Sequence, residues 1–114
     1  MEIYKILLRQ EWRDLKSRGQ TLGSPVDQTD GYIHFSTAEQ LRVTAFKHFR
    51  SQKDIVVLGC DTDLMDSPLR WEPSRGGSLF PHLYGPIEIQ FVLWHSTVSI
   101  AGDSHVFPEW IPLK

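Results

Sequence analysis

The sequence predicts a single α+β domain over residues 1–114, and three observations carry that reading. An apolar stripe of helical period lies between residues 38 and 49, a near-continuous β-branched run occupies 54–60, and the second half is a series of short strand-like runs punctuated by Pro and Gly. About five or six strands and two main helices account for them.

The opening IYKILL, residues 3–8, reads as a strand. Trp12 and Leu15 of EWRDLKSR then share one face of a short helix that Gly19 stops. In SPVDQTDG, Ser24 is a helix cap, Pro25 takes the first helical position, where its missing N–H is no loss, and Asp27 stands three residues after the cap; Gly31 ends the turn. YIHF follows as a strand. Ser36 caps the next helix, with Glu39 reaching back to it, and Ala38, Leu41, Ala45, Phe46 and Phe49 recur every three or four residues along it. DIVVLGC, 54–60, has the pattern of a central strand covered on both faces. Beyond a turn near TDLM come a strand in LRWEPS, a glycine turn at RGG, the segment LFPHLYGP and a strong strand IEIQFVLW over 87–94. The C-terminal stretch, with Pro108 and Pro112, reads as an irregular arm or an edge strand.

A net charge of −2 without a basic cluster argues against duplex nucleic acid as a partner. The single Cys60 has no disulfide partner within the chain, which points to a reducing compartment, and its place at the end of an apolar strand makes it a core residue. Lys5, Arg9 and Glu11 interrupt the apolar run of MEIYKILLRQEW, so it lacks the core of a secretion signal, and no segment has the length to span a bilayer. The expectation is a cytoplasmic protein with no membrane partner.

Two stretches carry chemistry. DGYIHFST, 30–37, sets His34 among Tyr32, Ile33 and Phe35, and a titratable ring in such surroundings needs a partner, either a backbone carbonyl or a ligand. LRWEPSRGGSLFPHLYGP, 69–86, gathers Trp71, Glu72, Arg75, His82 and Tyr84 around Gly76 and Gly77. Arg75 offers a planar fork for phosphate or carboxylate, the glycines allow positive φ and converging N–H groups, and Trp71 and Tyr84 offer flat faces for a ring. The plainer alternatives are a hairpin turn at SRGGS and a turn role for His82. Neither H-x-x-x-H nor C-x-x-C occurs, so no metal is expected. If the His34 strand pairs beside the RGG segment, His34, Arg75, His82 and Tyr84 face one cleft.

The IYKI opening, the GSPVDxxDGYIHFST block, DIVVLGCD and RWEPSRGGxLFPHLYGPI, in order along nearly the whole chain, closely resemble domain-of-unknown-function family 952. That family is similar in fold to the ADP-ribosyltransferases, which implies a split, mixed β core that clamps NAD. By this resemblance His34 and Ser36 fit the H-x-S/T element that holds the ribose, Tyr84 is the counterpart of the tyrosine that stacks on nicotinamide, and Glu72 and Glu88 are the nearest counterparts of the transferase glutamate. Related RNA 2'-phosphotransferases place His and Arg groups around a phosphorylated ribose, and by this resemblance Arg75 and His82 are the local residues of the types that such chemistry uses. One expectation is therefore an enzyme of ADP-ribosyl or phosphoribosyl transfer acting on NAD or an ADP-ribose-like nucleotide. His34 and Glu72 would be its catalytic groups, Ser36 would hold the ribose, Arg75, Gly76 and Gly77 the phosphates, His82 would line the site, and Trp71 or Tyr84 would hold the base. The alternatives are a non-catalytic module for a small anion, a nucleotide or a protein partner, and a buried polar network that only fixes the fold.

Overall fold

The computed structural model describes residues 1–102 and 104–112, without the side chain of Arg75. The first strand, β1 (Glu2–Leu8), leads into α1 (Arg9–Arg18), which Gly19 closes in the left-handed conformation at φ 80°. After β2 (Gln20–Thr21), α2 (Pro25–Asp30) forms as its capping residues dictate. The Ser24 hydroxyl accepts from the Asp27 N–H, the Asp27 carboxylate accepts from the Ser24 N–H, and Gly31 closes the helix at φ 84°. Then come β3 (Ile33–His34), α3 (Ala38–His48), β4 (Ile55–Asp61), β5 (Leu69–Pro73), β6 (Leu79–Leu83), β7 (Ile87–Glu88), β8 (Val92–Ala101) and β9 (Ser104–Val106).

The strands form three sheets, β1-β4-β8-β9, β2-β7 and β3-β6-β5. Strand β4 is central, and alternate side chains leave it for two apolar clusters. Val56, Leu58 and Cys60 join Ile3, Leu7, Trp12 and Leu15 under α1, while Ile55 and Val57 join Tyr4, Ile6, Leu41 and Ala45 under α3. Burial pushes the Cys60 thiol up to about 12, so it is an inert core group. No helix among the described residues is long and apolar enough to cross a membrane.

Four expectations need correction. Every strand pair among the described residues is antiparallel, so the core is split but not mixed. The helix after β1 delivers the chain to a different sheet instead of returning it parallel beside β1. The cap of α3 is Thr37 with Gln40, not Ser36 with Glu39. Ser36 is still extended, its N–H and C=O both bonded to Tyr4 at 2.8 Å, so the helix cannot begin there. Phe46 lies outside the apolar stripe of α3. One position on from Ala45 and 100° around the helix, it is 48% exposed, with the Arg50 guanidinium 4.7 Å from its ring centre. The run at 87–94 is not one strand. A 3₁₀ turn, Ile89–Phe91, carries the chain from the β2-β7 sheet to the large sheet and seats Phe91 at 0% exposure, a burial contributing about 1.5–3 kcal/mol. The C-terminal region combines an edge strand, β9, with an irregular arm that inserts Ile111 into the α3 cluster.

Candidate functional site

The small sheet β3-β6-β5 arranges the polar side chains. His34 pairs with His82 and Ile33 with Leu83 across β3-β6, while Arg70 pairs with His82 and Glu72 with Phe80 across β5-β6. Residues directly opposite each other in an antiparallel pair share a face. Ile33, Leu83 and Leu69 therefore turn to the core, and His34, His82, Arg70 and Glu72 to the other side. The Tyr84 N–H bonds to Pro68 O at 2.8 Å, which carries the alternation one residue past β6 and puts Tyr84 on the His82 face.

On that face Glu72 Oε1 accepts from the Tyr84 hydroxyl at 2.7 Å and meets His82 Nδ1 at 2.9 Å. These two bonds, that from Tyr84 first, hold the Glu72 carboxyl below its usual range, and the same carboxylate raises the Tyr84 hydroxyl. His82 is 2% exposed, and its other ring nitrogen, Nε2, is buried with no hydrogen-bond partner among the described residues. Over it lies Tyr32, its ring centre 4.2 Å from that of His82 at an interplanar angle of 30°. The same tyrosine ring is 4.8 Å from His34 and 5.2 Å from Tyr84. Arg70 closes one side, its guanidinium 5.0 Å from the Tyr84 ring.

His34 is anchored from beneath. Its Nδ1 is 2.5 Å from Asp27 Oδ1 and its Nε2 is 2.9 Å from Asp30 Oδ2. Both contacts are hydrogen bonds together only when the ring carries both N–H groups. Asp27 is 2% exposed, and its two oxygens take four donors: Lys5 Nζ at 2.7 Å, the Ser24 N–H at 2.9 Å, the His34 N–H at 3.1 Å and the His34 ring. Burial by itself would raise this carboxyl, but the His34 bond and the charge and bond of Lys5 outweigh it and hold the group well below the usual carboxylate range. Lys5, itself 6% exposed, also donates to His34 O at 2.9 Å. Two histidines backed by carboxylates thus stand with ring centres 5.3 Å apart.

Residues 6–95 match the family described as "Protein of unknown function (DUF952)". The chain belongs to this family. The crystal structure of protein CC0527 from Caulobacter crescentus is similar at 42% identity and a TM-score of 0.87, over 92% of each chain. A solution NMR structure of CC0527 is similar at 42% identity and a TM-score of 0.80, over 91% of this chain and 90% of that one. No curated protein matches the chain.

In this DUF952 chain the residues singled out from sequence divide cleanly. His34, Glu72, His82 and Tyr84 come together. Ser36 does not join them: it is 4% exposed and its hydroxyl meets Thr44 Oγ1 of α3 at 3.1 Å. Trp71 pairs with Pro81 on the opposite face of the small sheet. Gly76 and Gly77, at φ 67° and 81°, turn the β5-β6 hairpin beyond its last pair, Pro73–Leu79, which is itself three register steps from His82, about 10 Å along the strand. The side chain of Arg75 lies outside the described residues. Among the described residues no group of three or more His, Cys, Asp or Glu side chains is arranged to hold a metal ion. A concavity of about 510 Å³ beside Glu11, Arg18, Thr21 and Gln28 shares no residue with the cluster.

Sequence reasoning missed Tyr32, Asp30, Arg70 and the Lys5–Asp27 pair as members of the site. A signal for the pair was present, since Lys5 is a cation at a position of β1 buried on both sides along the strand, and such a charge requires a counter-ion. Its partner was hidden because the capping role of Asp27 already explained that residue.

Proposed function

We propose that the chain binds a small nucleotide of the NAD or ADP-ribose class on the outer face of the β3-β6-β5 sheet. The observation that carries this reading is the buried His82 ring, tied at Nδ1 to Glu72 and left at Nε2 without a partner, inside a ring of aromatic side chains. A buried polar atom without a partner costs about 1–3 kcal/mol, and a ligand atom bonded to it recovers that cost. In this reading Glu72 contacts a ribose hydroxyl, the His34 ring, held by its two carboxylates, lines the ribose pocket, a tyrosine face takes the base or nicotinamide, and Arg70 supplies the guanidinium for a phosphate. Gly76 and Gly77 belong to a phosphate site only for a ligand long enough to reach the hairpin tip.

Binding without turnover is the stronger form of the proposal. Glu72 is shared between His82 and Tyr84, and both ring nitrogens of His34 face carboxylates, so the two candidate catalytic groups are already engaged. Calorimetric titration with ADP-ribose and with NAD tests the reading, alongside chromatographic assay for nicotinamide released from NAD. Saturable binding that weakens at least about tenfold in Glu72→Gln, a loss of about 1.4 kcal/mol, is expected. No heat at millimolar ligand with folded protein overturns it, and steady nicotinamide release would replace the binding module with a transferase or hydrolase.

A further inference from the structure

Of the two tyrosines in the cluster, Tyr32 is the one held by ring contacts alone among the described residues. Its hydroxyl makes no hydrogen bond among the described residues, whereas the Tyr84 hydroxyl is fixed on Glu72. It is half-buried, directly after Gly31, whose positive φ ends α2, and directly before the two-residue strand β3. Its ring fills the space bounded by His34, His82 and Tyr84, and it lies against the imidazole whose Nε2 is unpartnered.

We infer that the space occupied by the Tyr32 ring is a binding subsite for a flat six-membered ring bearing a polar group, with Tyr32 as its resident stand-in. Such a ring keeps the stacking on His82 and the tilted contacts to His34 and Tyr84 and adds what Tyr32 lacks, a hydrogen bond to His82 Nε2. Glu72, at Nδ1, fixes the orientation of the His82 ring, so Nε2 presents its hydrogen-bonding capacity in one direction only. Tyr32 swings out as the ligand ring enters, a rotation that breaks no hydrogen bond of its side chain. The subsite rests on the nucleotide reading only for what the ring is attached to, and not for the ring itself.

Diethyl pyrocarbonate labelling of His82, read by peptide mass spectrometry, tests the cover without any nucleotide. His82 is expected to be protected in wild type and in Tyr32→Phe and labelled rapidly in Tyr32→Ala; equal labelling in all three overturns the inference. Benzamide, a flat ring with a polar amide, is expected to restore protection of His82 in Tyr32→Ala, and failure to do so at millimolar concentration overturns the subsite. With ADP-ribose, Tyr32→Ala is expected to bind about tenfold more tightly than wild type if the open state is populated to about a tenth. Weaker binding by Tyr32→Ala shows that Tyr32 stacks on the ligand and overturns its role as stand-in. If ADP-ribose binds neither protein while benzamide protects His82, the nucleotide reading falls and the ring subsite stands. Should Tyr32→Ala not fold, Tyr32→Leu, apolar but ringless, carries the same comparisons.

Discussion

Replacing Asp27 by Ala removes the acceptor for four donors at once, and the largest consequence falls on Lys5. The Lys5 and Asp27 side chains are 7% and 1% exposed, so the substitution leaves a buried ammonium whose remaining partner among the described residues is His34 O. Breaking a buried pair from one side costs about 3–5 kcal/mol. A domain of this length has about 6–17 kcal/mol of stability in total, so the loss is a large share, equivalent to about 10–20 °C in melting temperature. Removing both charges, as in Lys5→Met with Asp27→Leu, takes away the orphaned ammonium. The double variant is therefore expected to be less destabilised than the sum of the single ones by at least about 1 kcal/mol. Thermal and urea denaturation followed by circular dichroism measure both quantities. The pH dependence follows from the direction of the Asp27 shift. Its carboxyl is depressed in the folded chain, so its stabilisation is fully present above the unfolded value near 4 and is lost as pH falls through the lower folded value. The contribution of Asp27's own ionisation should thus narrow the gap between wild type and Asp27→Ala as pH falls below 4. An Asp27→Ala protein melting within about 2 °C of wild type at neutral pH would refute the assignment of Asp27 as the hub.

Gly59 of β4 lies beneath the Trp94 indole, and a methyl group there would overlap the ring, so Gly59→Ala must displace Trp94 and its bond to Glu2 Oε1. A loss of about 1–3 kcal/mol with a shifted tryptophan emission is expected, and unchanged emission at unchanged stability contradicts the packing. Because the Glu72 carboxylate raises the Tyr84 hydroxyl through their hydrogen bond and that of Tyr32 through its charge, Glu72→Gln should move both ionisations to lower pH, that of Tyr84 the more, while Tyr4, at about 12, still titrates last. Tyrosinate absorbance, with Tyr84→Phe to assign the step, checks this, and a superimposable titration curve refutes the Glu72–Tyr84 bond.

The features legible in the sequence are those decided within a few residues. Ser24, Pro25 and Gly31 specify α2 by capping and φ alone, and the β-branched run of β4 announces its burial. The site was legible in its parts, since His34, Glu72, His82 and Tyr84 were each conspicuous as polar or aromatic residues in turn-rich segments. What joins them is long-range. Lys5 meets Asp27 from 22 residues away, and His34 reaches His82 only because β3 pairs with β6 in the observed register. A shift of one residue in that register would turn His82 into the core and Leu83 outward. The β5-β6 register turned Trp71 away, and Ser36 was lost to the site because its bridge to Tyr4 and its bond to Thr44 took both backbone and hydroxyl. Local capping and burial preferences determine the elements, and the pairing of distant strands decides which of their side chains share a face, because a strand has two faces and only its neighbours choose between them.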